Sequence, residues 1–110
     1  MNPKLPFIEK YIIKHHPTVD KVYFTQYNSW LGSSPELPDS ERTVNVTRIN
    51  IVIDNSNETY TPWGARSLAM QIRNEIDNFF NLNLGGYGSK YDTEFYVKSI
   101  STLTDYLKKK

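Results

Sequence analysis

Cysteine is absent from the 110-residue chain, and with it go disulfide staples, thiolate zinc sites, iron–sulfur clusters and cysteine nucleophiles. Long apolar runs are missing as well. Nothing approaches the ~18 residues of a membrane span, and the opening residues are expected to hold no secretory signal. A surplus of one charge is also lacking. Thirteen Lys and Arg stand against twelve Asp and Glu, a formal net charge of +1, so no global field draws the chain to nucleic acid or anionic lipid. The content of 38% hydrophobic and 23% charged residues suits a single domain with one core. The aromatic share stands out: eight Tyr, five Phe and two Trp in a chain whose mean hydropathy is −0.58.

Leu5 to His15 reads as an amphipathic helix, with Leu5, Ile8 and Ile12 on one face, Tyr11 beside them, and Glu9, Lys10 and Lys14 turned away. Pro6 fits the helix start and Pro17 stops it. Val19 to Tyr27 is β-branched and aromatic and predicts a strand. The segment from Asn28 to Arg42 is dense in turn formers and predicts a long loop, yet it carries Trp30, Leu31 and Leu37. Those apolar residues predict that it packs on its own domain or on a partner, ordering only in an assembly.

Thr43 to Asp54 is the strongest strand signal, with Ile49, Ile51 and Ile53 in alternation. Val44 and Val46 alternate on the opposite parity, and a straight strand cannot bury both sets on one side. Either a bulge sits near Thr47-Arg48, or the first half has a different covering partner, such as another subunit. Thr61-Pro62 is a helix start with Thr as N-cap. Ala65, Leu68, Ala69, Ile72, Ile76, Phe79 and Phe80 then form an inner face, and the helix is expected to end before Gly85-Gly86. Thr93 to Ser101 returns to strand alternation, and Leu103, Tyr106 and Leu107 suggest a last helical turn. The order α-β-β-α-β predicts an α+β sandwich of two layers, with helices on one mainly antiparallel or mixed sheet.

Catalytic and metal-binding patterns are weak, so no catalytic, cofactor or metal residue is assigned. His15 and His16 are adjacent, hence about 100° apart on a helix, and cannot clamp one ion. Asp54-Asn55-Ser56-Asn57-Glu58 lacks the glycine and terminal Glu of a calcium loop and reads as a polar turn. Gly85-Gly86-Tyr87-Gly88-Ser89-Lys90 lacks the Gly-Lys-Ser/Thr entry of a phosphate loop. Lys21, Tyr23, Tyr27, Arg48, Tyr96 and Lys98 are candidates for one aromatic, basic sheet face of the kind that stacks single-stranded nucleic acid. The near-zero net charge opposes that reading.

The strand Val44 to Ile53, the step Thr61-Pro62-Trp63-Gly64-Ala65-Arg66 and the helix Ser67 to Ile76 resemble the tail terminator and minor capsid (head–tail joining) protein family of long-tailed bacteriophages. The likeness covers residues 43–80 and extends beyond them by element order alone. It implies one tail-terminator-like domain and a non-enzymatic structural protein without cofactors. It further implies a ring of about six copies that caps the tail tube, ends its polymerisation and joins the tail to the head connector. The implied partners are the tail-tube and head-connector proteins, with DNA only passing through the ring, no membrane, and a location in the virion neck after assembly in the host cytoplasm. The candidate interface residues are Tyr23, Tyr27, Trp30, Leu31, Val44, Val46, Tyr87 and Tyr96, since aromatic side chains dominate interface hot spots. The alternatives are a small phage-encoded protein that binds and inhibits a host protein, and a single-strand nucleic-acid-binding domain.

Overall fold

The computed structural model describes residues 4–30, 43–86 and 88–99. Leu31, Tyr87 and the expected turn at Leu103, Tyr106 and Leu107 lie outside the described residues. Helix α1 (Lys4–His15), strands β1 (Val19–Trp30) and β2 (Thr43–Asn55), helix α2 (Pro62–Phe80) and strand β3 (Tyr91–Ser99) follow in that order. The sheet order is β1-β2-β3, with β1 antiparallel and β3 parallel to the central β2. The result is a two-layer α+β fold with a mixed sheet.

Local chemistry accounts for the element ends. Pro6 sits in the first turn of α1, where a missing N–H costs nothing. The His16 N–H still closes on the Ile12 carbonyl at 2.9 Å before Pro17 ends the helix. Thr61, extended at φ −69° and ψ 165°, caps α2 by accepting the Gly64 N–H on its hydroxyl at 3.1 Å. The α2 stop is Asn81 in the left-handed region at φ 56°, several residues before the glycines, and it turns Leu82 and Leu84 into the core. Asp77 secures that turn by accepting the Leu84 N–H at 3.0 Å. The Asp54–Glu58 segment is a capped turn: Asp54 accepts the Ser56 N–H, and the Asn55 amide bonds both the N–H and the carbonyl of Tyr60.

Both helices lie on one side of the sheet. Ile8 and Ile12 of α1 and Ile72 and Ile76 of α2 form a single core with Val19, Val22, Ile49, Ile51 and Ile53. Two sequence readings need correction, and one of the two alternatives for the split parity of β2 drops out. The expected loop at 28–42 is strand at its start, because Asn28, Ser29 and Trp30 pair with Asn45, Val44 and Thr43 and extend β1; residues 31–42 lie outside the described residues. There is no bulge at Thr47-Arg48; the register from Trp30↔Thr43 to Lys21↔Val52 is unbroken. The irregularity falls instead at Asp20 in β1, between Val19 and Lys21, where an extra residue lets Val19 and Val22 both face the core despite their odd spacing. Finally, Phe79 is not an inner-face residue. It is 69% exposed, because the apolar stripe of α2 ends over α1, where Phe79 stacks on Tyr11 at 5.1 Å.

Candidate interaction face

Strand pleating sends alternate side chains to the side of the sheet opposite the helices. The registers arrange them in rows: Ser29 with Val44, Tyr27 with Val46, Thr25 with Arg48 and Asp92, Tyr23 with Asn50 and Glu94, and Lys21 with Val52 and Tyr96. Five of the candidate interface residues, Tyr23, Tyr27, Val44, Val46 and Tyr96, therefore share one face across all three strands. Trp30 has the opposite parity, at the hairpin end beyond the core, and is 54% exposed. No helix among the described residues covers the shared face.

The split parity of β2 is thus a real division between two faces. Val46 is only 3% exposed, so its methyls pack within the protomer. Val44 is half-buried in a depression shared with Tyr27 and the Gly85–Ser89 turn. That turn flanks the part of β2 that has no β3 partner, and the Thr47 N–H bonds the Lys90 carbonyl where pairing begins.

All six residues considered for nucleic-acid stacking, Lys21, Tyr23, Tyr27, Arg48, Tyr96 and Lys98, do come together here. Two of the three cations are already paired with carboxylates. Arg48 makes a two-pronged contact with Asp92, Nε to Oδ1 and Nη2 to Oδ2, each at 3.3 Å. Its guanidinium also lies 4.7 Å from the Tyr27 ring centroid, and the Tyr27 hydroxyl donates to Asp92. The bond to Asp92 and desolvation raise the Tyr27 pKa above its ordinary value, and Asp92 likewise raises that of Arg48. Lys98 pairs with Asp20 at 3.2 Å, and Lys21 lies 5.1 Å from the Tyr23 ring centroid. Desolvation, Tyr23 and Glu94 raise the Tyr96 pKa. With Asp20, Asp54, Asp92 and Glu94 beside three cations, the face is mixed in sign.

Asn50 is the residue that sequence reading missed. It is 2% exposed at the middle of the face, with its amide nitrogen within 3.3 Å of the Tyr23 carbonyl, the Thr25 hydroxyl and the Arg48 carbonyl. A polar residue between isoleucines reads as solvent-facing. The register is what turns it into a buried clamp between β1 and β2.

His16 serves structure. His16 is buried, and its Nε2 lies 2.8 Å from Glu75 Oε1, tying the end of α1 to α2. Among the described residues no group of three or more His, Cys, Asp or Glu is placed to hold a metal ion, and no helix is long and apolar enough to cross a membrane. No family model, curated protein or solved structure matches this chain.

Proposed function

We propose that this chain is a structural assembly protein of a long-tailed phage virion, a tail terminator that closes into a ring of about six copies at the end of the tail tube. The observation that carries the reading is the helix-free face of the sheet, which spans three strands and has Tyr27 and Arg48 held to Asp92, and Asn50 to Thr25, by side-chain hydrogen bonds and an ion pair. A face ordered in advance loses little side-chain entropy on association. Its mixed charges favour register and partner choice over indiscriminate adhesion. Ring closure needs heterologous contacts, in which this face meets a different surface of the next copy. The outer edges of β1 and β3, unpaired with any strand among the described residues, are further contact surfaces.

The test is polymerisation of the cognate tail-tube protein with and without this chain. A terminator shortens tubes at substoichiometric amounts and remains bound at one end. Tubes of unchanged length, with this chain left in the unbound fraction, contradict the reading. A second reading, single-strand nucleic-acid binding, draws on the convergence of Tyr23, Tyr27 and Tyr96 with three cations. It requires oligonucleotide binding that weakens steeply with salt.

A further inference from the structure

The opposite layer carries a second surface, independent of the sheet face. Near the end of α2, Phe79 stacks on Tyr11, whose ring lies 4.4 Å from that of His15 and 5.9 Å from that of Phe80. Phe7, one turn before Tyr11 on α1, is 62% exposed beside this cluster. The rings line a depression between the two helices whose charged lining is Lys10 and Lys14. Among the described residues no ion pair engages Lys10 or Lys14. Glu9 does not line this depression; it shares the adjoining one with Ile13, which Lys10 and Lys14 also border. Glu75 below the rings is occupied by His16, Gln71 and Tyr11.

We infer that this shelf docks an acidic segment of a partner protein that carries an apolar anchor. Lys10 and Lys14 are four residues apart, about 6 Å along the helix. That spacing matches carboxylates at alternate positions of an extended peptide, about 6.8 Å apart. The exposed Phe7 and Phe79 rings then receive the anchor between them. A stacking platform for bases is disfavoured, because Tyr11, Phe79 and Phe80 spend their faces and edges on one another. Two lysines also fall short of the phosphate contacts that sustain strand binding.

The probe is the synthetic peptide acetyl-Glu-Asp-Phe-Asp-Leu-Glu-amide, titrated into isotope-labelled protein and followed by NMR. Shifts are expected at Phe7, Tyr11 and Phe79 and not on the sheet face, weakening as salt rises. The double variant Lys10→Glu with Lys14→Glu lowers affinity by about tenfold or more, while the fold is retained because both lysines are exposed and only the helix-end charge of Lys14 is lost, a small drop in melting temperature. A counterpart peptide with lysine in place of every acid leaves the shelf unshifted. The inference is overturned if millimolar acidic peptide produces no localised shift, or if the charge reversal leaves binding unchanged. It is equally overturned if oligo-dT or anionic vesicles shift the shelf and the peptide does not. Tube capping is not read in this experiment, so its failure leaves the ring reading to stand or fall separately.

Discussion

Ile51 and Val52 are neighbours on β2 whose side chains leave on opposite sides, so truncating each to alanine separates the two faces of the sheet energetically. Ile51 is fully buried beneath the helices. Ile51→Ala removes three carbons, and at about 0.8 kcal/mol per buried CH2 the lost transfer term is roughly 2.4 kcal/mol. The cavity left under two packed helices raises the cost to about 3–4 kcal/mol. Val52 is half-buried on the helix-free face. Val52→Ala removes two carbons already partly in water and costs about 0.5–1 kcal/mol. A domain of this size has about 5–15 kcal/mol in total, and each kcal/mol moves its Tm by about 4 °C. The first variant should therefore lose about 12–16 °C and the second about 2–4 °C. Urea unfolding followed by circular dichroism checks the pair, since an unchanged slope lets the midpoint report stability alone. Equal losses, or a larger loss at Val52, would refute the assignment of the helices to a single side.

Removing the α2 cap with Thr61→Ala should cost about 1 kcal/mol by the same assay, because the Gly64 N–H loses its acceptor. Burial pushes the Glu75 carboxyl up, but bonds from Gln71, His16 and Tyr11 and the His16 charge outweigh it and hold the group below its ordinary 4.5. With the folded pKa below the unfolded one, this clasp is fully stabilising above the unfolded value and is lost as pH falls through the folded value. Melting temperature should accordingly drop on acidification below about pH 5, and Glu75→Gln should flatten that drop. On the sheet face, Asp92→Asn removes the carboxylate that raises Tyr27. Ultraviolet titration of the variant should show one tyrosine ionising at lower pH than in the parent, and superimposable curves would deny the contact.

Periodicity made both helices and β2 legible, because Ile8 and Ile12, Ile72 and Ile76, and Ile49, Ile51 and Ile53 each repeat at the period of their element and all reach the core. It misled at Phe79, whose position on the stripe is correct but whose end of the helix overhangs a neighbouring helix rather than the sheet. Asn28-Ser29-Trp30 look like a turn in isolation; their strand character comes from residues 43–45 across the ladder. The convergence of Tyr23, Tyr27 and Tyr96 depends on two registers, one of them parallel and reached through α2. Composition could nominate those tyrosines, but only pairing could join them. Asn50 was hidden for the same reason, since its burial follows from bonds to β1.

In the proposed assembly, copies of this chain associate through the helix-free sheet face to form a ring at the head-proximal end of a tail tube. Electron cryomicroscopy of tail tubes purified with this protein attached tests it most directly. The expected image is a closed ring of about six copies in which Tyr23, Tyr27 and Tyr96 lie against the neighbouring copy. Tube ends without ring density, in a sample holding stoichiometric protein, would contradict it, as would a ring whose copies leave that face in solvent.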